Sequence, residues 1–130
     1  MTCFDTDALT CYLKASPKAV NKVNELADVG EFVHITSITM YEILKGLRHK
    51  GNIQTERKFI AFLEKVEVIP LCDRAVVEAA EIYAQLRKKG VTIGDADIFI
   101  AAIVKVNNGW LVTNNTKHYQ NIEGLWLETW

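Results

Sequence analysis

Short strand-like segments alternate with helical segments along most of the chain, and this alternation restricts the folds that the sequence can adopt. The candidate strands are residues 2–4, 32–36, 66–71, 110–113 and, as a last strand or an extended edge, 125–128. Strands that alternate with helices predict an α/β domain with a mainly parallel sheet and helices on both faces. The 130 residues are enough for one such domain, which we expect to cover residues 1–130.

The helical segments carry recognisable start and stop signals. Ser16 and Pro17 are typical of an N-cap and a first helical position, and Gly90 after two lysines is typical of a helix end. Residues 98–106 are apolar on all sides except at Lys105, which predicts a buried, central helix. The candidate helices cover residues 8–14 and 98–106 and begin at Pro17, Thr39, about Gln54 and Asp73.

Composition and charge exclude several classes of protein. Hydrophobic residues make up 49% and charged residues 24% of the chain, and no apolar run approaches the roughly 18 residues of a membrane helix. The formal net charge of −1 argues against nucleic-acid binding by bulk charge alone. Cys3, Cys11 and Cys72 form no metal-type pair, so we expect reduced thiols and, with no signal peptide visible, a cytoplasmic protein.

Acidic, hydroxyl and amide side chains follow the predicted strands or open the helices after them. Because the carboxyl ends of parallel strands meet at one edge of a sheet, these side chains can converge there. They belong to Asp5, Asp7, Glu42, Asp95, Asp97, Thr113, Asn114 and Asn115.

Five carboxylates at one edge would repel each other strongly. Two unit charges ~4 Å apart interact by ~4 kcal/mol at an effective dielectric constant of 20, so the cluster needs raised pKa values or a bound cation. Ligands that are all oxygen atoms suit Mg²⁺ or Mn²⁺ better than Zn²⁺. A carboxylate site for such an ion is typical of phosphoryl chemistry, in which a water molecule attacks a phosphate.

Each acid also has a purely structural interpretation. Asp5 fits an N-cap, Thr39 and Glu42 fit a capping box, and the two adjacent asparagines fit a turn. Asp95 and Asp97 fit the positive end of a helix dipole. These alternatives are weakened because every one of these strand exits carries acidic or amide side chains. Asp97 weakens them most, since a second acid just inside an apolar helix costs desolvation free energy unless a partner compensates the charge.

Four segments, taken together, resemble the motifs of PIN-domain ribonucleases, and specifically of the VapC toxins of bacterial type II toxin–antitoxin modules. The first is Phe-Asp-Thr-Asp at 4–7, and the second is the segment 38–46, in which a glycine comes four residues after the acidic Glu42. The third is the segment 93–102 with its Asp-x-x-Ile-Ala core, and the fourth is residues 111–119. An ending with Gly124, Leu125 and a terminal Glu-x-Trp follows the fourth motif. The resemblance covers the whole chain and implies a single PIN-like domain with an α/β/α sandwich.

Site residues follow from this resemblance position by position. The metal-binding acids fall on Asp5, Glu42 and Asp97, and Asp95 matches a position that is acidic only in some members. The fourth motif has Asn115 where many PIN nucleases have Asp and many VapC toxins have Asn. The supporting positions are Thr6, Asp7, Thr113 and Asn115.

The resemblance implies Mg²⁺- or Mn²⁺-dependent hydrolysis of RNA, most often of a tRNA in its anticodon loop, with initiator tRNA a recurrent substrate. It also implies a homodimer and a small cognate antitoxin that blocks the site with a basic side chain and binds operator DNA with its other half. Phosphate contacts are expected from Lys45, Arg48 and Lys50, beside the helix that carries Glu42. The basic residues 87–89 fit a solvated helix end better, and the proposed chemistry needs neither His49 nor His118.

Two alternatives remain open. Asp5 and Asp7 also match the Asp-x-Asp signature of haloacid-dehalogenase-type phosphatases, although that scaffold needs a later lysine and is normally longer. A PIN-like domain without activity, serving as an RNA- or protein-binding module, is the other. The intact set of acids argues against lost catalysis. Without the five candidate acids, 11 acidic residues remain against 15 basic ones, so the near-neutral net charge fits an acidic pocket in a mildly basic surface.

Overall fold

The computed structural model describes all 130 residues and contains one five-stranded sheet whose pairings are all parallel. The predicted α/β class is therefore confirmed, and the C-terminal segment forms an edge strand of the sheet. The strands are β1 (Thr2–Phe4), β2 (Val33–Thr36), β3 (Glu67–Ile69), β4 (Trp110–Val112) and β5 (Trp126–Glu128). The helices are α1 (Thr6–Leu13), α2 (Pro17–Asp28), α3 (Ser37–Lys50), α4 (Ile53–Leu63), α5 (Asp73–Lys88), α6 (Asp95–Val106) and α7 (Thr116–Tyr119).

The strand order β3-β2-β1-β4-β5 places β1 at the centre of the sheet. The chain builds outward from β1 to β3 and then returns to the other side of β1, so the strand order reverses between β1 and β4. Open parallel sheets bind ligands outside the carboxyl ends of the strands at such a point. Phe4 pairs with Val112, and the backbone N–H of Asp5 donates to the Val112 carbonyl oxygen at 3.1 Å, so Asp5 and Thr113 leave the sheet side by side.

Neighbouring residues of the two central strands face opposite layers of helices. Cys3 and Leu111 pack with buried side chains of α5 and α6, whereas Phe4 and Val112 pack with side chains of α1, α2 and α4. All four side chains are completely buried. Strands covered on both faces explain why neighbouring residues of these short segments are apolar on both sides of the sheet, and the α/β/α layering is as predicted.

Helix α6 is the buried helix that its sequence predicts. Six of its 12 residues are buried, and five of them belong to the core layer that α6 shares with α5. Lys105 remains accessible enough to form an ion pair with Glu78 of α5, with 2.6 Å between the Lys105 Nζ and Glu78 Oε1 atoms. No helix in the chain combines the length and the apolar character needed to cross a membrane.

Two helix starts differ from the prediction, and the first is α1, which begins at Thr6 rather than at residue 8 because Asp5 caps it. Pro17 opens α2 and the left-handed Gly90, with φ of +71°, follows the end of α5, both as predicted. Helix α3, however, begins at Ser37 rather than at Thr39, because the Thr36 side chain accepts a hydrogen bond from the Thr39 backbone N–H at 3.1 Å and caps the helix. The one-turn helix α7 follows the predicted turn and was not expected from the sequence.

Candidate active site

An acidic pocket of about 240 Å³ lies at the carboxyl ends of β1 and β4, where the strand order reverses. Its walls come from the start of α1, the middle of α3, the first turn of α6 and the short helix α7. Only one of its eight lining residues is hydrophobic. The lining residues are Asp5, Thr6, Asp7, Glu42, Asp97, Asn115, His118 and Tyr119.

Asp5 caps a helix and also has a carboxyl group with a raised pKa. Its Oδ1 atom accepts a hydrogen bond from the Ala8 backbone N–H at 2.8 Å, which caps α1, so the predicted N-cap is confirmed. The side chain is only 3% exposed, and burial raises its pKa to about 6. Hydrogen bonds from Thr113 and Ala8 oppose this increase, whereas the nearby carboxylates of Asp7 and Asp97 add to it.

Glu42 reaches the pocket from α3 and is held there by α1. The Thr6 hydroxyl donates to Glu42 Oε1 at 2.6 Å and lies 3.2 Å from the buried Thr39 hydroxyl. Because Thr36 caps the helix, Glu42 lies beyond the N3 position and does not reach back to the helix start. The capping-box interpretation of Thr39 and Glu42 is therefore wrong, and the carboxylate faces the pocket.

Two side chains of α7 bind the Asp97 carboxylate, one at each oxygen. The buried Tyr119 hydroxyl donates to Oδ1 at 3.0 Å, and His118 Nε2 lies 3.2 Å from Oδ2. The Asn115 amide nitrogen is 3.0 Å from His118 Nδ1; when the amide donates there, the ring proton lies on Nε2 and points at Asp97. Burial and the carboxylates of Asp5 and Asp97 raise the pKa of Tyr119, which keeps this hydroxyl protonated as a donor.

These two α7 side chains are the site residues that the sequence did not identify. The chemistry predicted from the sequence needs no role for His118, and Tyr119 appears there only as the last residue of the fourth motif. Adjacent residues of one helical turn reach the same carboxylate because α7 lies across the start of α6, which is a tertiary arrangement. A turn signal followed by His-Tyr does not contain that information.

The remaining candidate acids and hydroxyls divide between the pocket and its surroundings. Asp7 lines the pocket and is exposed, whereas Thr113 is completely buried beneath it and accepts a hydrogen bond from the Asn115 backbone N–H at 2.9 Å. Asp95 is not brought into the pocket: it lines a separate groove with Tyr83 of α5. Two residues that are two positions apart in a helix are separated by about 200° of rotation around the helix axis. Asp97 and Asp95 therefore face different sides of α6.

The basic residues expected to contact RNA are also dispersed. Lys45 is exposed and lies over the Tyr41 ring, with its Nζ atom 5.2 Å from the ring centroid. Arg48 forms an ion pair with Glu56 of α4 at 2.6 Å. Only Lys50 lines a groove that adjoins the acidic pocket.

The donor set fits a hard divalent cation, although the side chains do not form a preformed metal site. No three carboxylate, histidine or cysteine side chains lie close enough together to bind a metal ion as they stand. Four carboxylates nevertheless line one small pocket without any cysteine, and such oxygen donors suit Mg²⁺ or Mn²⁺. Burial, with a smaller contribution from the carboxylates of Asp7 and Asp97, raises the pKa of Asp5, so a proton or a cation at this carboxyl would offset its buried charge.

Comparison with known proteins places this arrangement in a family. The PIN domain family model matches residues 2–124. Ribonuclease VapC2 of Rickettsia felis is 30% identical over 127 residues, which are 97% of this chain and 95% of that protein. The tRNA(fMet)-specific endonuclease VapC of Salmonella typhimurium is 29% identical over 99 residues, which are 74% of each chain.

A solved structure has the same architecture. The crystal structure of VapBC2 from Rickettsia felis, bound to a DNA fragment from its promoter, contains a chain that superposes with a TM-score of 0.91 at 29% sequence identity. The match covers 99% of this chain and 98% of that one. The arrangement of strands and helices around the acidic pocket is therefore shared over the full length.

Proposed function

The chain belongs to the PIN-domain family and, within it, to the VapC ribonucleases, and we propose on this premise that it is the endoribonuclease toxin of a VapBC-type toxin–antitoxin module. The observation that supports this most strongly is the convergence of Asp5, Glu42 and Asp97 in one pocket at the reversal of the strand order. These residues come from three distant parts of the sequence. A purely structural role for each acid would not require the three to meet.

We propose that Asp5, Glu42 and Asp97 hold a Mg²⁺ or Mn²⁺ ion. When bound, the ion supplies charge stabilisation at the phosphate under attack. Thr6 holds Glu42, and α7 holds both oxygens of Asp97, so two of the three carboxylates have fixed directions before substrate arrives. Asp95 is not included, because it lies outside the pocket.

The attacking water needs a carboxylate that orients it and accepts its proton. Asp7 lines the pocket and makes no hydrogen bond to another side chain, so we assign this task to Asp7. The water oxygen bonds to phosphorus as Asp7 accepts its proton, and the phosphorus–oxygen bond to one neighbouring nucleotide breaks. The leaving oxygen takes up a proton from solvent, so that the RNA is left with two new ends.

The substrate that we propose is a tRNA, cut in its anticodon loop, with initiator tRNA as the first candidate. The relative from Salmonella typhimurium, named as specific for tRNA(fMet), supports this choice. An exposed loop also suits an open pocket, since its unstacked bases and backbone are accessible to a protein. Action on tRNA would take place in the cytoplasm.

For partners we propose a small VapB-like antitoxin and a second copy of this chain. The Rickettsia felis structure contains VapBC2 on a promoter fragment, which supports a hetero-oligomer that reaches operator DNA through the antitoxin. The acidic pocket is suited to inhibition by a basic antitoxin side chain, which would approach the same carboxylates as the cation.

A cleavage assay with two matched variants tests the activity. We expect the purified chain to cut tRNA with Mg²⁺ or Mn²⁺ and to stop when EDTA is added. Asp97→Asn should abolish cleavage. Asp95→Asn removes the same charge two residues away but outside the pocket, so this variant should retain cleavage. Undiminished cleavage in EDTA would falsify the metal-dependent mechanism, and equal losses in both variants would contradict the assignment of the pocket.

Expression in cells distinguishes the toxin from the inactive binding module that the sequence leaves open. Production of the chain without an antitoxin should arrest growth and create one discrete new RNA 5′ end. The Asp97→Asn variant should do neither. RNA binding without arrest and without new ends would favour the binding module. The haloacid-dehalogenase alternative has no support from the family match or from the fold comparison.

A further inference from the structure

A second groove opens directly from the acidic pocket and runs between α1, α3 and α4. Its volume is about 360 Å³, and the two cavities share Thr6 and Glu42 as common lining residues. A ligand whose reacting group lies at the carboxylates therefore has one continuous path along which its neighbouring groups can extend.

Three lysines from three different elements line this groove, which we call the lysine groove. Lys14 caps the end of α1, Lys50 is the last residue of α3, and Lys58 lies in the middle of α4. All three are exposed, and none forms an ion pair with a carboxylate. Glu56, on the same helix as Lys58, is instead paired with Arg48.

Three lysines without an ion-pair partner line this groove, and its one carboxylate, Glu42, lies where the groove meets the acidic pocket. A flexible polyanion would neutralise all three lysines together, releasing their counterions. The charge of the groove is opposite to that of the pocket that it adjoins.

Gly46 is an independent observation on the same groove. It lies inside α3, where glycine is less favourable than alanine because its backbone loses more conformational freedom. A Cβ atom added at this position would meet no other atom within 4 Å, so neither packing nor a positive φ explains the glycine. Because Gly46 lines the lysine groove, the missing side chain keeps the groove open.

We propose that the lysine groove binds the sugar–phosphate backbone of single-stranded RNA next to the phosphate that is cut. This proposal rests on the proposed function and adds to it a specific binding surface with Lys14, Lys50 and Lys58 as phosphate contacts. Lys45 and Arg48, which the sequence also favours for this role, lie outside the groove. Contacts to phosphates alone give the surface no sequence specificity.

Salt dependence of RNA binding tests the phosphate contacts without any cleavage. We would measure the anisotropy of a labelled 12-nucleotide single-stranded RNA with the chain in EDTA over a range of KCl concentrations. Each phosphate contact to single-stranded RNA contributes ~0.7 to the slope of log affinity against log salt. The triple variant Lys14→Gln, Lys50→Gln, Lys58→Gln should lower that slope by about 2 and weaken binding on the order of 50-fold at 0.15 M salt.

A charge-matched control separates the groove from the overall charge of the chain. Lys18→Gln, Arg74→Gln and Lys88→Gln remove the same three charges from exposed positions outside the groove. This triple variant should keep the slope of the unchanged chain. If both triple variants bind RNA equally well, the lysine groove does not bind the RNA backbone and the proposal is wrong.

Gly46→Leu tests the shape of the groove in a variant that should fold well. Leucine is a better helix former than glycine, and the space around position 46 is open, so the free energy of unfolding should stay the same or rise. RNA affinity should fall at least tenfold, whereas Gly46→Ala should retain most of it. Full RNA affinity in a stable Gly46→Leu variant would overturn the proposal.

The outcomes separate this proposal from the proposed function. If the unchanged chain cuts no RNA with Mg²⁺ or Mn²⁺ but the groove variants lose RNA binding, the ribonuclease function fails and the groove stands. If the chain cuts RNA and the groove triple variant binds like its control, only the groove proposal fails. A 12-residue polyglutamate peptide that binds the groove more tightly than the RNA of equal charge would assign the groove to an acidic protein segment and would also overturn it.

Discussion

The two ends of the sheet differ in what the side chains of its strands contribute. At the carboxyl ends, the buried polar residues Asp5, Thr36 and Thr113 surround or support an acidic pocket. At the amino ends of β4 and β5, Trp110 pairs with Trp126 across the strands, with ring centroids 5.6 Å apart. The first arrangement buries charge at a cost in stability, and the second adds apolar contact. This difference predicts that substitutions at one end change activity and those at the other change only stability.

Asp5→Asn gives the largest expected effect and separates activity from stability. Asparagine caps a helix about as well as aspartate, so α1 should form normally. If Asp5 holds the metal ion as proposed, loss of its carboxylate should reduce RNA cleavage about 1,000-fold or more, which corresponds to a few kcal/mol of transition-state stabilisation. Single-turnover cleavage rates with Mn²⁺ measure this loss.

The same variant should be more stable than the unchanged chain in EDTA at neutral pH. The pKa of Asp5 is about 6 in the folded protein and 3.8 in its ordinary state, so the folded form binds the proton more tightly. This contribution to stability is present at low pH and is lost as the pH rises from about 4 through 6, to a total of about 3 kcal/mol. Urea unfolding at pH 4 and pH 7 should show a gain for Asp5→Asn only at pH 7; equal stability at both values would contradict the effect of burial.

The carboxyl-end pattern was also the part of the site that sequence could predict. Acids that follow strands converge when the sheet is parallel, so Asp5, Glu42 and Asp97 could be expected to meet before the fold was known. The separation of Asp95 from Asp97 required the direction in which α6 faces, which local sequence does not fix. Thr36 and Thr39 are equally good N-caps by residue type, so tertiary structure alone decides where α3 begins.

The role of α7 could not be predicted, and Tyr119→Phe tests it. The variant removes the hydroxyl that donates to Asp97 and keeps the buried ring. Residues that orient a metal ligand typically change metal affinity or activity by about 10–100-fold, so we expect a loss in that range. Mn²⁺ affinity from isothermal calorimetry should fall together with the cleavage rate.

His118→Gln provides the comparison for that result. Glutamine keeps a polar side chain of similar reach, so it should restore part of the contact to Asp97 Oδ2. If Tyr119→Phe leaves both Mn²⁺ affinity and cleavage unchanged, α7 merely covers Asp97 and does not position it.

At the opposite end of the strands, Trp126→Ala should reduce stability and leave the chemistry intact. The Trp110–Trp126 pair is half exposed and directly paired in register, and such aromatic pairs contribute about 0.5–1.5 kcal/mol beyond the area that they bury. Urea unfolding should show a loss of about 1–2 kcal/mol. The cleavage rate per folded molecule should stay within about twofold of the unchanged chain; a loss comparable to that of Tyr119→Phe would mean that the two ends are coupled through the sheet.

The smallest expected effect concerns thiol reactivity within the sheet itself. Cys3 is completely buried in β1, and burial, reinforced by the nearby Asp5 carboxylate, raises its pKa well above the ordinary range. Cys72 is exposed at the start of α5. Because the thiolate is the reactive form, a disulfide reagent should modify Cys72 rapidly and Cys3 only after unfolding. Mass spectrometry of the native protein checks this. Rapid modification of Cys3 would show that β1 opens locally beside the pocket, in which case the carboxyl end of the central strand is less rigid than the arrangement of its acids requires.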